Sequence, residues 1–430
     1  MSLVRFLTLV VAAVYSLLLL DTYSSFGPVA YGTMFRNNQL PFEFAALTVI
    51  LAVFPTLWLP IRVTRPSQVC VWFLYLLAYV PSMLLPMRSL DTPPSQTLPL
   101  IIVFCLGFAA LSFPYRLALP ALRQIKVQPI TFYGTCLAAS LGLIVIIIAV
   151  NGLRVDLSLA SAYTRRAEYK AAAGGGSVLS YASSILANSL VPVLFALAFE
   201  RRKWWMAILG AVSVVILFSM GGQKSVFFTP ILIAALYLIL KGNRRHFGLW
   251  LCAGATAIVA IAMVERQIFD TPFLSLAFVH RLVFTPGILT GQFWDFFSNH
   301  PHIYLSDSIL GFLLHSPYDQ SAGLIIGELY ARDPGRNATT NVFAQGYAHF
   351  GYLGMVLAGL ALGSLLYLFD AATTRRNFLP CALVMGLLGI FWSNVALHTS
   401  MLSNGIIVTL LLLYLLPSAR KIRPETNFVG

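Results

Sequence analysis

Titratable side chains are concentrated in one stretch of this 430-residue chain, from Glu265 to Asn341. The stretch holds four of the seven histidines and seven of the fifteen acidic residues, although charged residues make up only 10% of the sequence. Imidazole and carboxylate groups are the usual general acids and bases of enzymes. Because loops on a rigid scaffold often carry the chemistry of a protein, this composition predicts a site in a large loop at 265–345.

The candidate catalytic residues of this loop are His280, Arg281, Glu328 and Asp333. Arg281 follows the apolar run FLSLAFV, which places it at or just below a membrane interface, where a cation is costly without a partner. A general base is harder to choose, because His280, Glu328, Asp333 and also His349 all remain open for that role. Glu328 has an alternative role as an ion-pair partner of Arg332, one helical turn further on.

The elements that position these groups are predicted to be membrane-spanning helices. Hydrophobic residues make up 58% of the chain and its mean hydropathy is +0.81. Long continuous apolar runs favour helices over barrel strands, because backbone groups must be satisfied within the segment in hydrocarbon. The sequence predicts an all-α polytopic membrane protein with twelve spans at about 3–20, 41–60, 69–87, 97–114, 132–150, 179–199, 204–221, 225–240, 247–264, 346–368, 378–395 and 402–417.

The orientation of the spans follows from the basic residues in their connections. Lys and Arg residues cluster in every second connection, whereas the four short connections on the other side carry only Arg36, Arg88 and Lys224. By the positive-inside rule both termini are cytoplasmic, and residues 1–430 form a single integral membrane domain. The net charge of +13 is therefore a topology signal and does not predict nucleic-acid binding.

A smaller basic loop at 151–178 is predicted on the same outer face as the loop at 265–345. Its Ala-rich middle favours a short helix ended by glycines at 174–176. Arg165 and Arg166 in this loop suit the capture of an anionic substrate group, and attraction to lipid headgroups is the alternative. Lys224 begins the helix that follows Gly221 and Gly222, where a cation beside free amides would bind an anion.

The aromatic segment QFWDFFSN at 292–299 has two possible roles. It fits an interfacial amphipathic helix, and alternatively Trp294 and its neighbours form a stacking surface for sugar rings. No metal site is predicted, because the loop histidines lack the spacing of a helical ligand pair. The five cysteines fall inside predicted spans without a CxxC pair, and no Asp-x-Asp pair occurs in the sequence.

Two short patterns add a family resemblance. Arg165, ten residues and Gly176 match the Arg-ten-Gly pattern of the outer loops of Wzy-type O-antigen (oligosaccharide repeat-unit) polymerases, which the predicted topology also resembles. Asn341, nine residues, Gly351 and then Gly354 resemble the signature of the related O-antigen ligases. Thr340 stands where those ligases carry His, which counts against ligase chemistry.

The resemblance implies a GT-C-like polymerase/ligase architecture in the bacterial inner membrane. It implies transfer of a growing glycan from undecaprenyl pyrophosphate onto a lipid-linked repeat unit at the periplasmic face, without a cofactor. Membrane lipids and a chain-length regulator protein are the other expected partners. The expected pyrophosphate- or glycan-binding residues are Arg165, Arg166, Lys224, Trp294, Arg336 and Asn341. An O-antigen ligase on the same scaffold and a lipid-linked oligosaccharide flippase are the alternatives.

Overall fold

The computed structural model describes residues 2–31, 36–120, 122–153, 155–158, 161, 165, 168–169, 178–222, 224–269, 272–331 and 335–417. Contacts divide the chain into two compact units. Unit 1 comprises Met1–Leu119, Ile231–Leu368 and Ala382–Asn404. Unit 2 comprises Pro120–Pro230, Phe369–Cys381 and Gly405–Gly430. The single integral membrane domain expected for 1–430 stays a prediction.

Helices account for the secondary structure of the described residues, among which no strand occurs. The first nine are α1 (Leu3–Tyr31), α2 (Phe42–Val53), α3 (Ser67–Leu84), α4 (Pro94–Leu111), α5 (Pro129–Asn151), α6 (Val178–Arg201), α7 (Trp204–Gly221), α8 (Lys224–Asn243) and α9 (Phe247–Ile268). They are followed by α10 (Thr285–Asn299), α11 (Ala322–Ala331), α12 (Val342–Thr373), α13 (Phe378–Trp392), α14 (Leu397–Ser403) and α15 (Ile406–Leu415). A π-helix, Ser275–Phe284, leads directly into α10.

The chain is a multi-pass membrane protein, as the sequence predicts. Among the described residues, eight helical segments are long and apolar enough to cross a membrane. Three further apolar helices in predicted spans are shorter, at Phe42–Leu57, Phe378–Trp392 and Ile406–Leu415. The number of twelve spans and their orientation therefore stay predictions, while the helical class is confirmed.

The predicted large loop at 265–345 is mostly helical. The π-helix and α10 form one continuous helical rod, and α11 adds a second helical element. The aromatic segment at 292–299 lies in the core of unit 1: Phe293 is fully buried and Phe297 is 1% exposed. The interpretation as an interfacial amphipathic helix is therefore wrong, because these rings pack against protein.

A sharp break divides α12 at Phe350 and Gly351. Gly351 has φ 60° and ψ −145°, a conformation that residues with a side chain rarely adopt. After the break the chain folds back, so that Gly346 and Gly354 touch and a Cβ on either would collide with the backbone of the other. The absence of a side chain at both positions thus lets the two parts of the chain pack at backbone distance. The break makes the first turns, 342–349, a short helix with a free C-terminal end.

The longer part of α12 packs closely on α4 within unit 1. A Cβ on Gly359 would meet the Gly107 carbonyl, and one on Gly363 would meet the Leu111 carbonyl. Small residues let two helices approach at backbone distance, which is the usual way that helices associate in membranes. This contact anchors the helix that carries the break.

Unit 2 contains α5, α6, α7 and α15. Buried Ser189 on α6 donates to the Gly405 carbonyl at 2.7 Å, and Thr409 on α15 donates to Ser189 Oγ at 2.9 Å. An apolar cavity of about 450 Å³ lies between α5, α6 and α15. The Ala-rich middle of the first outer loop and the glycines at 174–176 lie outside the described residues.

Candidate functional site

The segment after α10 docks on the free end of the short helix 342–349. The N–H of Ile303 donates to the Ala348 carbonyl at 3.0 Å, and that of Tyr304 donates to the His349 carbonyl at 3.3 Å. These bonds satisfy carbonyls that the break in α12 leaves without helical partners. Tyr304 and Leu305 both have positive φ, which turns the chain so that Asp307 comes to lie beside the helix end.

Three polar side chains from distant parts of unit 1 converge there. Asp307 Oδ1 lies 3.7 Å from His349 Nε2 and 3.4 Å from His398 Nε2, and the two imidazole rings are edge to face at 4.7 Å. All three facing atoms are enclosed, without a further hydrogen-bond partner among the described residues. His349 is 3% exposed, whereas His398 and Asp307 are 18% and 21% exposed. We refer to these three residues as the 307–349–398 cluster.

The backbone sets the protonation of His349. The N–H of Leu305 donates to His349 Nδ1 at 3.2 Å, so Nδ1 is an acceptor and the ring proton lies on Nε2, toward Asp307. Burial raises the pKa of Asp307, but the hydrogen bond from His398 and the nearby imidazoles outweigh burial, and the pKa lies below its usual value. The ionised carboxylate of Asp307 therefore lies beside the Nε2 atoms of two imidazoles.

Among the described residues, Asp307, His349 and His398 form a group whose side-chain atoms lie close enough together to bind a metal ion. A histidine bound to metal through one nitrogen usually donates a hydrogen bond from the other. His349 Nδ1 instead receives the Leu305 N–H, which opposes the tautomer that a metal at Nε2 requires. The arrangement therefore suits a hydrogen-bonded cluster better than a metal centre.

A second group surrounds the predicted catalytic pair His280 and Arg281. Glu265 accepts the N–H groups of Leu274 and Ser275 at 2.9 Å each, and so caps the π-helix that carries the pair. Burial, and then the charges of Arg281 and Arg336, lower the pKa of His280 to about 4.

The charges of two predicted cations, Arg281 and Arg336, thus both act on the neutral imidazole of His280. Both arginines are exposed.

The predicted base candidates of the following segment are less well placed. Glu328 is exposed near the end of α11. Among the described residues it forms no hydrogen bond or ion pair with the 307–349–398 cluster. Asp333 and its neighbour Arg332 lie outside the described residues. The roles predicted for Glu328 and Asp333 stay predictions.

The predicted ligand Asn341 is a helix cap. Its Oδ1 accepts the N–H groups of Phe343 and Ala344 at 3.1 and 3.0 Å, which is the N-cap arrangement for α12. Its Nδ2 donates to Thr290 Oγ1 at 2.8 Å. Thr340, in the position of the ligase His, is also fully buried. Asn341 is thus engaged on both sides by protein, and substrate contact through it stays a prediction.

The predicted sugar platform Trp294 is 6% exposed, and its Nε1–H donates to the Tyr352 hydroxyl at 3.0 Å. Its ring lies among protein side chains and presents no open face to a sugar. The neighbouring Asp295 accepts the Tyr330 hydroxyl at 2.5 Å and the Thr92 hydroxyl at 3.2 Å, which ties α11 to α10. These residues support the scaffold around the site, and the stacking of sugar on Trp294 stays a prediction.

In unit 2, Arg165 is held by its own loop. It pairs with Asp156, donates to Ser161 Oγ and to the Ser158 carbonyl at 2.9 Å each, and stacks over Phe218 at 5.2 Å. The backbone N–H of Ser158, Arg165 and Ser161 together lower the pKa of Asp156 to about 2. Arg165 thus stabilises the loop at 151–178, and its capture of an anion stays a prediction.

The other predicted anion ligands of unit 2 are less fully described. Lys224 begins α8, as predicted, after Gly222 ends α7 with φ 58°. Arg166 lies outside the described residues.

No local sequence signal indicates the 307–349–398 cluster. Asp307 lies after α10 and His398 lies in α14, far apart in the chain, and His349 is one of several base candidates. The only usable signal is topological, because the predicted orientation places all three residues at the outer ends of their segments.

No protein-family model, curated protein or solved structure matches this chain.

Proposed function

We propose that this chain is a membrane glycosyltransferase that polymerises lipid-linked oligosaccharides. It would transfer a growing glycan from undecaprenyl pyrophosphate onto the nonreducing end of a lipid-linked repeat unit, at the periplasmic face of the bacterial inner membrane. The resemblance to Wzy-type O-antigen polymerases supports the substrate class. The apolar helices support the membrane setting.

The observation that carries the proposal is that the charges of Arg281 and Arg336, from separate segments, both act on the imidazole of His280. Two sequence-predicted cations from separate segments act on one imidazole strongly enough to help lower its pKa to about 4, beyond the effect of burial. Like charges on neighbouring groups cost free energy in a folded protein, and an anionic ligand removes that cost. A diphosphate offers the multiple oxygen acceptors that guanidinium groups bind in pairs.

The chemistry of the reaction requires such a group of cations. The donor sugar is already activated, and when its C–O bond breaks the electron pair leaves on a diphosphate oxygen. Fixed cations beside that oxygen stabilise the developing charge most where water is excluded. Arg281 and Arg336 would supply this stabilisation without a metal ion, and the neutral His280 would add a hydrogen bond and no further charge.

The experiment is a comparison of Arg281→Ala with Arg36→Ala in cells that make the polysaccharide. Arg36 is a matched control, because it is an exposed arginine of unit 1 paired with Asp91 at 3.3 Å, in a separate ion pair. We expect Arg281→Ala to abolish long glycan chains and leave single repeat units, while Arg36→Ala makes normal chains. Normal chain lengths in Arg281→Ala at normal protein level would remove Arg281 from the mechanism.

An O-antigen ligase is the second candidate, and one observation favours it. Asn341, Gly351 and Gly354, which resemble the ligase signature, are the cap, the turn and the packing contact of one broken helix. The two enzyme classes would share this scaffold. A ligase predicts that deletion strands finished polymer on the lipid carrier, whereas a polymerase predicts that single repeat units remain. One gel of lipid-carrier and lipopolysaccharide fractions separates these outcomes.

A further inference from the structure

We propose that His398 is the general base that takes the proton from the acceptor hydroxyl, with Asp307 as the residue that positions it. This inference rests on the proposed glycosyl transfer and adds a residue that the sequence patterns did not indicate. It follows from the way the 307–349–398 cluster orients one imidazole.

The carboxylate of Asp307 fixes the tautomer of His398. Nε2 of His398 faces Asp307 Oδ1 at 3.4 Å and is enclosed. A carboxylate in that place holds the ring proton on Nε2, which leaves the lone pair on Nδ1. Among the described residues Nδ1 of His398 has no hydrogen-bond partner and is not one of the enclosed atoms. The basic nitrogen therefore faces outward from the cluster.

His349 closes the inner side of the cluster. Its Nδ1 is occupied by the Leu305 N–H, and its Nε2–H faces the same Asp307 oxygen at 3.7 Å. With 3% of its side chain exposed, His349 has neither the lone pair nor the access that a base for a substrate hydroxyl requires. Its ring covers the inner side of Asp307, which keeps the carboxylate turned toward His398.

The alternatives in unit 1 are less suitable as bases. Burial, and then the charges of Arg281 and Arg336, lower the pKa of His280 to about 4, which makes it a weak proton acceptor near neutral pH. Glu328 is an exposed side chain without an orienting partner among the described residues. His398 is the imidazole that combines an open nitrogen with an ionised carboxylate on the opposite nitrogen.

In the proposed step, the acceptor hydroxyl gives its proton to His398 Nδ1 while its oxygen attacks the anomeric carbon of the donor. The C–O bond to the lipid diphosphate breaks, and the electron pair leaves with the diphosphate oxygen. Asp307 stabilises the imidazolium that forms, and the proton then passes to solvent or to the released diphosphate. The titratable groups that face His398 are Asp307 and His349, with His302 beyond His349.

The test uses the full chain in lipid nanodiscs with a synthetic undecaprenyl-diphosphate repeat unit, and elongation is measured across pH. We expect His398→Ala to slow elongation by about 10²- to 10⁴-fold, the usual contribution of a general base. Added imidazole should restore part of the rate, which a variant that merely fails to fold would not show. The control is His315→Ala, an exposed histidine of the same loop region, which should elongate normally.

Asp307→Asn provides the readout for positioning. Removal of the carboxylate destabilises the imidazolium, so the acid limb of the pH–rate profile should move to lower pH in this variant. If wild-type protein elongates and His398→Ala elongates equally fast, the inference is overturned while the proposed function stands. Loss of a stoichiometric metal from His398→Ala would overturn it in favour of a metal centre. If wild-type protein does not elongate, the proposed function fails and this inference fails with it.

Discussion

Gly346 and Gly354 lie face to face across the break in α12, and neither has room for a Cβ. Their contact folds the chain back at Gly351 and frees the end of the short helix 342–349. That end receives the 303–305 segment, which in turn brings Asp307 to His349. The geometry of the 307–349–398 cluster therefore depends on a contact between two residues that carry no side chain.

Gly354→Ala should destabilise the protein. The added methyl would meet the Gly346 carbonyl, which belongs to a helix backbone and moves only if the whole break reopens. Overpacking of this kind costs about 1–3 kcal/mol. Thermal unfolding in nanodiscs measures the loss. Gly254→Ala on α9 is the matched control, because a Cβ there meets nothing within 4 Å, and equal melting temperatures for the two variants would contradict the packing role.

Asn341→Ala should also lower stability, because it removes the N-cap of α12 and the buried hydrogen bond that Asn341 Nδ2 donates to Thr290 Oγ1. Loss of an N-cap costs about 0.5–2 kcal/mol, and the buried hydroxyl adds to this. Denaturation of the purified variant measures the effect. A variant of wild-type stability that had lost activity would instead restore the predicted contact between Asn341 and substrate.

Asp307 should make the docking of the 303–305 segment sensitive to acid. The pKa of Asp307 lies below its usual value in the folded protein. Its contribution to stability is therefore fully present above the pKa of the unfolded state and is lost as pH falls through the pKa of the folded state. Hydrogen exchange of the Ile303, Tyr304 and Leu305 amides, corrected for intrinsic rates, should show protection at pH 7 that fades as pH falls below the usual range of an aspartate pKa. Asp307→Asn should lack this pH dependence. An identical exchange profile in that variant would show that Asp307 does not control the docking of the 303–305 segment.

The sequence predicts the membrane class and nearly every helix position, because apolar runs and basic connections are local signals. It does not predict that the helical segment at 292–297 packs inside the core of unit 1, since its mixture of aromatic and polar residues also fits an interfacial helix. Nor does it predict the meeting of Asp307 with His398, because that contact depends on how distant helix ends are brought together.

The charges of Arg281 and Arg336 should make the stability of the protein depend on pH through His280. Burial and both guanidinium charges hold the pKa of His280 at about 4, below its unfolded value of about 6.5. Between those two pH values the unfolded chain binds a proton that the native protein does not, so stability falls as pH falls through this window. His280→Gln should flatten that dependence of the melting temperature. Arg336→Ala should raise the pKa of His280, as measured by imidazole NMR titration, while Arg36→Ala leaves it unchanged. An unaltered midpoint in Arg336→Ala would mean that the two cations do not share a site around His280.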